Sequence, residues 1–224
     1  MAELTKKNDF IEIEFTGKSN NQIFDTTNPK EAELLGVKNP KEVKPMIISI
    51  GNQMILKGLD EELAGKEIEK KYSVHLSPEK AFGKRNPQMI RTYSLSSFIK
   101  NNIHPHLGMS LQLDNHVVKV LSVTGGRVTV DFNNPLAGKD VDYDFVIKRK
   151  VKDDKEKINA LQDFFFMQRF EFAINGKKVI FKNNLAKAIL PILDKKFEEL
   201  TGFTFSVEEK LEKEEKNSKK SRKK

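Results

Sequence analysis

The sequence predicts an α+β fold with three parts: an antiparallel sheet with a short helix, a small β module inserted into it, and a C-terminal α+β domain. Apolar and polar residues alternate between Ile11 and Phe15, which is the period of a half-buried strand. The segment Lys84–Lys139 has its own strand-like alternation and a Gly125-Gly126 hairpin turn. Beyond Asp153 the apolar residues adopt mostly helical spacing, so a differently built part begins there.

The first part contains five predicted strands and one clear short helix. The strands are Ile11–Phe15, Gln22–Asp25, Met46–Ile50, Tyr72–Leu76 and Val141–Ile147. The helix covers Gly58–Ala64, with Gly65 as its stop signal. A second short helix at Lys30–Leu35 interrupts the long connection between the second and third strands.

The other two parts follow the same logic. The insert has strand spacing at Leu111/Leu113, Val118/Val120 and Val128–Phe132. In the C-terminal part, a helix at Lys155–Phe166 precedes two strands joined by Asn175-Gly176, a strong hairpin signal. A second helix runs from Leu185 to Leu200, and Pro191 is expected to kink or split it.

Composition excludes several classes of protein. The chain has 224 residues and no cysteine, which excludes disulfides, thiol catalysis and thiolate metal sites and favours a cytoplasmic location. Without any long apolar run or signal-peptide core at the N-terminus, no contact with a membrane is predicted. Four histidines occur, and His104-Pro105-His106 lacks an obvious third ligand, so neither a metal nor another cofactor is predicted.

The net charge of +8 is concentrated at one end of the chain. Lys216, Lys219, Lys220, Arg222, Lys223 and Lys224 contribute +6, which leaves +2 for Met1–Glu215. We therefore expect residues 208–224 to form a charged, disordered tail. The alternative is weak contact with RNA, the ribosome or another polyanion, for which unstructured charge is sufficient.

Three segments resemble the FKBP family of prolyl isomerases, and they fall in the family's order. Phe24-Asp25-Thr26-Thr27 is similar to the Phe-Asp-Ser/Thr segment after the first strand. Ile50–Glu61 is similar to the family's strand, loop and helix, and Ser77–Gly83 to the loop that closes its pocket. The resemblance implies that the first part is an antiparallel FKBP half-barrel with peptidyl-prolyl cis-trans isomerase activity.

The insert and the C-terminal part refine the resemblance to the long archaeal FKBP-type proteins of the SlyD kind. Val130–Lys139 resembles the return segment after the insert-in-flap chaperone domain of that group. The implied domains are the catalytic domain (residues 1–84 and 138–151), the insert-in-flap domain (85–137) and the C-terminal α+β domain (152–207). The tail lacks the histidines and cysteines of bacterial SlyD tails, so their nickel-related property is not carried over.

The resemblance also implies the site residues. The catalytic group is Asp25, Phe24, Phe82 and Tyr143, and the substrate-binding group is Phe15, Ile55, Leu56, Leu59 and Met46. The Leu56 backbone N–H would bind a substrate carbonyl, and Leu59 would form the pocket floor. Judged by pattern alone, the apolar members are ordinary core residues and Asp25 is a turn or cap residue.

Three positions depart from many relatives. Leu59 replaces a tryptophan, while Phe82 and Phe15 replace tyrosines, so two hydroxyl groups are lost, one of them a partner for Asp25. These differences predict a lower turnover than in minimal relatives. They also support a rival hypothesis, in which the chain is a non-catalytic chaperone that keeps its pocket as a binding cleft.

An apolar pocket suits this chemistry. Rotation about a peptide bond faces a barrier of about 18–20 kcal/mol because twisting removes resonance. An enzyme need only bind the twisted, less dipolar amide better than the planar forms. Aromatic and aliphatic walls can do this without a nucleophile.

The insert and the C-terminal part are expected to bind other proteins. The candidate chaperone surface is Met89, Ile90, Tyr93, Leu95, Phe98, Ile99 and Met109, about half of which are expected to pack the insert's own core instead. Its clients would be unfolded or partly folded polypeptides that contain proline. Nine phenylalanines between Phe164 and Phe205 exceed what a small module buries efficiently, which predicts a homodimer or a second client surface.

The function that follows is isomerisation of X–Pro bonds in folding proteins, with holdase activity from the insert. The alternatives are the non-catalytic chaperone and a ribosome- or RNA-associated adaptor that acts through the basic tail.

Overall fold

The computed structural model describes residues 3–182 and 186–207, without the side chains of residues 186–189 and 191–194. The predicted charged tail, including Lys216–Lys224, and the helix residue Leu185 lie outside the described residues. None of the helices in the described part of the chain is long and apolar enough to cross a membrane.

The first part is a five-stranded antiparallel sheet of the FKBP half-barrel type, which confirms the predicted fold class. Its strands are β1 (Phe10–Ser19), β2 (Gln22–Thr26), β3 (Met46–Ser49), β4 (Lys71–Leu76) and β9 (Val141–Lys150). They follow the order β2-β1-β9-β4, and β3 pairs with β1 as well. Two short helices, α1 (Pro29–Leu34) and α2 (Lys57–Glu62), lie close to their predicted positions.

Strand β1 organises this sheet because it pairs with three others. Its apolar side chains Ile11, Ile13 and Phe15 are buried, as their alternation predicted. The 121 residues between the end of β1 and the start of β9 include the whole insert, so the pairing of β1 with β9 joins two segments that lie far apart in the sequence.

The insert forms a separate four-stranded antiparallel sheet of order β5-β8-β7-β6. Its elements are β5 (Ile90–Ser94), α3 (Leu95–Lys100), β6 (Ser110–Leu113), β7 (His116–Thr124) and β8 (Arg127–Asp131). Four buried valines and Phe98 form a core of its own. The sequence did not predict β5 and α3, because their apolar residues follow neither the strand period nor the helix period over a sufficient length.

Two adjacent chain segments connect the insert to the first sheet. The Asn86 amide donates to the Asn133 side chain at 2.8 Å, and Asn133 Nδ2 donates to the Asn86 carbonyl at 3.0 Å. Arg85 pairs with the buried Asp131 carboxylate, which also accepts from the Asn133 amide at 2.9 Å. These bonds hold the outgoing and returning chains side by side.

The C-terminal part contains helices α4 (Asp154–Phe165) and α5 (Ala186–Thr201) and a three-stranded sheet of order β10 (Phe172–Asn175), β11 (Lys178–Phe181) and β12 (Thr204–Val207). Asp153 caps α4 by accepting from the Glu156 amide at 2.8 Å. The predicted hairpin joins β10 to β11, whereas the pairing of β12 with β11 is parallel and was not predicted. Helix α5 continues through Pro191, so the predicted split is wrong; the buried Leu190 and Phe197 anchor it on both sides of the proline.

The expected surplus of exposed aromatic rings is wrong for most of the nine phenylalanines. Phe166, Phe170, Phe181, Phe197 and Phe205 are buried, and Phe165, Phe172 and Phe203 pack partly buried against the same core. The reason is that this part has no separate core: one apolar cluster extends from the β1 side chains to these rings, and α4 packs on β3. Phe164 is the exposed member of the nine, and with the exposed Met167 nearby it still supports the predicted dimer.

Candidate active site

A β-bulge in the first hairpin places two neighbouring residues of β2 opposite a single glycine of β1. Gly17 pairs with Asp25 and Lys18 pairs with Ile23, which leaves Phe24 as an extra residue on β2. In such a bulge two residues on one strand oppose a single residue on the other. Phe24 and Asp25 are therefore both presented toward Gly17.

Gly17 leaves room for two aromatic rings. A Cβ atom at this position would lie 2.8 Å from Phe24 Cζ and 2.8 Å from Tyr143 Cε1. Tyr143 is the partner of Gly17 on the opposite strand, β9. Asp25, Gly17 and Tyr143 consequently form a row across three strands, with no side chain at its centre.

The rings around this row form an edge-to-face cluster. The Phe24 centroid lies 5.7 Å from that of Tyr143 and 5.6 Å from that of Phe82, and the centroids of Phe15 and Tyr143 are 5.8 Å apart. Phe15 and Tyr143 are buried, whereas Phe24 and Phe82 are half-buried. The half-buried rings offer apolar surface to a bound molecule, and the buried ones hold them in place.

Helix α2 and the loop before it supply aliphatic candidates. Leu59 is fully buried, and Ile55 and Leu56 are half-buried next to it in sequence. The buried Asp60 carboxylate accepts from the backbone amides of Gly51 at 2.8 Å and Gln53 at 2.7 Å. This clamp shapes the turn that leads into Ile55 and Leu56.

The loop that carries Phe82 is tied to the same helix. The Gly58 amide donates to the Lys80 carbonyl at 3.0 Å, and a Cβ atom at Gly58 would lie only 2.4 Å from that oxygen. Glycine at this position is therefore what allows the loop to approach α2. The contact places Phe82 close enough to pack on Phe24.

The Leu56 amide is available to bind a substrate. It lies directly before α2 and makes no hydrogen bond with any residue that the structure describes. An amide at the start of a helix has no intrahelical acceptor, so it can donate to a ligand carbonyl. This agrees with the role that the family resemblance implies.

Asp25 and Tyr143 are the titratable members of the candidate site. Although Asp25 as a residue is exposed, desolvation by its neighbours raises the pKa of its carboxyl, and the Thr26 amide offsets part of that effect. Burial, together with the negative charge of Asp25, raises the pKa of the Tyr143 hydroxyl well above its usual value. Tyr143 is thus a neutral donor at any pH at which the protein would normally be studied.

Met46 is the candidate that lies apart from this cluster. It begins β3 opposite Ile13, and 38% of its surface remains exposed. It is not among the residues packed on the apolar core, so its predicted contact with substrate depends on a substrate that reaches the edge of the sheet.

The predicted chaperone surface divides into core and exposed residues. Phe98 is buried in the centre of the insert, so its assignment to the surface is wrong: it lies on the inward face of α3. Tyr93, Leu95 and Met109 pack partly buried on that core, and Ile90 is half-buried. Met89 and Ile99 remain exposed, which agrees with the expectation that about half of the set is structural.

Sequence reasoning missed several residues that the structure brings forward. Leu107 and Val117 are each 73% exposed in the insert, and the adjacent Val117-Val118 pair was a usable signal because neighbours in a strand face opposite sides. Gly17 was not recognisable in this way, because it lies beyond the predicted strand Ile11–Phe15, whereas in the structure β1 extends to Ser19. Nothing in the local pattern distinguished Asp60 from the other acids of its helix.

Two cavities lie away from the aromatic cluster. One of about 370 Å³ is lined by Lys155, Asn159, Arg169, Phe170, Glu171, Phe172 and Lys182. The other, about 310 Å³, lies where β1 and β9 meet the C-terminal part. Most charged residues that line the two cavities form ion pairs, as Arg169 does with Asp163. The aromatic cluster is therefore a better candidate site than either cavity. Among the described residues no group of acids and histidines is arranged to hold a metal.

Half-buried aromatic rings, aliphatic side chains and an unpaired amide suit the binding of a peptide better than covalent chemistry. Comparison with known proteins agrees: the model of the FKBP-type peptidyl-prolyl cis-trans isomerase family matches residues 2–99, and the model described as FKBP26, IF domain matches residues 94–136.

Individual relatives give the same result. The chain is 27% identical to a short-type peptidyl-prolyl cis-trans isomerase of Methanocaldococcus jannaschii, over 66% of this chain and 95% of the relative. It is 30% identical to a probable FKBP-type 16 kDa peptidyl-prolyl cis-trans isomerase of Pseudomonas fluorescens, over 46% and 71%. It is also 30% identical to the SlyD isomerase of Treponema pallidum, over 46% and 62%. The chain belongs to the FKBP-type peptidyl-prolyl cis-trans isomerase family.

Proposed function

We propose that this isomerase acts on X–Pro bonds of folding protein chains, in the groove between Phe24, Phe82 and the α2 start, and that its insert holds the client. The single observation that best supports the catalytic site is the row across Gly17, where an aromatic wall and a carboxylate face the same space. The Leu56 amide, at the start of α2, is a free donor for a peptide carbonyl.

The proposed mechanism is preferential binding of the twisted amide. The planar amide is strongly dipolar and loses hydration when it enters the apolar groove, whereas the twisted amide has lost its resonance and loses less. The four aromatic rings supply the walls, and the Leu56 amide orients the peptide. Asp25, whose raised pKa reflects desolvation, lies at the edge where the amide rotates.

The holdase activity is proposed for the exposed apolar residues of the insert. Met89, Ile99, Leu107 and Val117 are 37%, 43%, 73% and 73% exposed. Exposed apolar side chains can bind apolar stretches of unfolded chains, and methionine adapts to varied partners. Client binding there would raise the local concentration of client prolines at the groove.

We also propose the domain division stated above, with residues 85–137 as an insert-in-flap chaperone domain of the SlyD kind. Its separate sheet and core support this boundary. Residues 152–207 would be the extra domain of the long archaeal type. The cytoplasmic location, the dimer and the polyanion contact of the tail remain predictions.

Two assays on the full chain test the proposal. A protease-coupled assay on a short X–Pro peptide measures the groove, and refolding of a proline-limited protein measures groove and insert together. Leu107→Ser combined with Val117→Thr should leave peptide turnover unchanged and slow catalysed refolding several-fold, together with weaker suppression of aggregation. The matched control is Leu34→Ser, which removes an 80% exposed leucine from α1 rather than from the insert. Equal losses in both variants, or no loss in either, would contradict the holdase assignment.

A further inference from the structure

The Tyr143 hydroxyl is a polar group in an otherwise apolar wall, and no role has yet been given to it. Among the nine candidate site residues, Asp25 and Tyr143 alone carry polar side chains. Tyr143 as a whole is 2% exposed, so its ring is fixed. Its hydroxyl forms no hydrogen bond with any side chain or backbone group in residues 3–182 and 186–207, apart from those side chains that are not described.

That hydroxyl is not fully covered by the protein. None of the described side chains has a nitrogen or oxygen that is both fully buried and unpaired. An unpaired Tyr143 oxygen must therefore reach the surface, although the remainder of the residue is covered. The ring is held edge-to-face between Phe15 and Phe24, with Gly17 beneath it, which limits the directions in which the oxygen can point.

The chemistry of the substrate identifies a matching group. The nitrogen of an X–Pro amide has no hydrogen, so a protein can hydrogen-bond to this peptide segment mainly through its carbonyl oxygens. Those oxygens require donors. The Leu56 amide can serve one of them, and an ionised Asp25 carboxylate can serve none.

We propose that the Tyr143 hydroxyl donates a hydrogen bond to the carbonyl oxygen of the residue that precedes proline, a role distinct from that of its ring in the aromatic wall. The inference rests on the proposed groove. As the amide twists, electron density shifts from its oxygen toward its nitrogen, so this donor chiefly orients the carbonyl on the aromatic side of the groove. It also supplies a hydroxyl where Phe15 and Phe82 have none.

The first test is Tyr143→Phe, which removes one oxygen and keeps the ring. We expect kcat/KM for an X–Pro peptide to fall about five- to tenfold, the usual effect of one neutral hydrogen bond. Thermal stability should not change, because the hydroxyl has no partner in the described part of the chain. Tyr72→Phe is the matched control: its hydroxyl accepts from the Glu67 amide at 2.9 Å, so this variant should lose stability and keep its turnover.

A modified substrate locates the hydrogen bond. In a peptide with a thioamide before proline, sulfur replaces the carbonyl oxygen and accepts hydrogen bonds poorly. The penalty of Tyr143→Phe should shrink to less than twofold on this peptide, and an undiminished penalty would overturn the proposal. Adding Phe15→Tyr to Tyr143→Phe returns a hydroxyl from the neighbouring strand, at rings 5.8 Å apart, and should restore part of the lost rate.

Failure of this inference can be told apart from failure of the proposed site. If Phe24→Ala lowers turnover and Tyr143→Phe does not, the groove is correct and the hydroxyl has no catalytic role. If neither variant lowers turnover while both remain folded, the groove itself is wrongly placed.

Discussion

Gly17→Ala should disrupt the proposed active site by adding a single methyl group. Gly17 lies near the C-terminal end of β1, in a conformation that other residues adopt without strain, because its φ angle is not positive. Backbone strain is therefore not the expected cause of any effect. The added carbon would instead lie 2.8 Å from both Phe24 Cζ and Tyr143 Cε1 and 3.0 Å from Tyr143 Cζ.

The size of the effect follows from these distances. Carbon atoms in favourable contact are about 3.5–4.0 Å apart, so each ring must move by about 1 Å. Overpacking of this kind usually costs about 1–3 kcal/mol of folding free energy. Because both rings belong to the groove and a misplacement of about 1 Å can cost a hundredfold in rate, we expect kcat/KM on a peptide to fall between about tenfold and a hundredfold.

The assay compares turnover with stability in the same preparation. Protease-coupled peptide isomerisation gives kcat/KM, and urea unfolding gives the loss of folding free energy. Gly108→Ala serves as the control, since it places a side chain at φ +81° in open space within the insert. It should lose stability through backbone strain alone and keep full activity on peptides.

A Gly17→Ala protein that stays folded and retains the turnover of the unmodified protein would refute this reasoning. It would mean that the rings of Phe24 and Tyr143 can move without consequence for the substrate. The groove would then have to lie elsewhere on the sheet.

Three further predictions test other parts of the structure. Asp25→Asn should raise the melting temperature at neutral pH, because desolvation raises the pKa of this carboxyl and its charged form disfavours folding. The gain in melting temperature should disappear as the pH falls through the raised pKa. A variant that is less stable than the unmodified protein at neutral pH would contradict this prediction. Replacement of residues 87–132 by a short Gly-rich turn should keep peptide turnover within about threefold but slow catalysed protein refolding at least tenfold. Peptide turnover should survive because Asn86 and Asn133, on either side of the deletion, are already hydrogen-bonded to each other. Equal losses on peptide and protein would show that the insert supports the fold. Asn133→Ala should cost about 1–3 kcal/mol in urea unfolding, because it removes the buried amide that joins the two connecting segments, and an unchanged unfolding midpoint would show that this pair is not a stabilising link.

Several features of the fold were predictable from local sequence. The alternation at Ile11, Ile13 and Phe15 predicted a half-buried strand, and those side chains are buried in β1. The Gly65 stop signal placed the end of the α2 region, and Asn175-Gly176 placed the β10–β11 hairpin. Each of these features depends on a backbone preference or a period within about ten residues.

The site was only partly predictable. Family resemblance suggested Phe24, Asp25 and Phe82 as site residues, but it did not reveal that a bulge places both Phe24 and Asp25 opposite Gly17. The bulge depends on the register of two strands, and a register is set by pairing across the sheet rather than by either strand alone. For the same reason, a role for the Tyr143 hydroxyl can be inferred only from the pairing of β9 with β1.

The sequence by itself therefore determined the α+β class, most of the strands and helices and the family of the protein, because these depend on local periods and on matching segments. Tertiary structure alone decided which apolar residues are exposed. The phenylalanines of the C-terminal part are mostly buried because their core is continuous with that of the first sheet. Phe98 is buried because it lies on the inward face of α3. Burial is a property of what packs against a residue, and those partners lie far away along the chain.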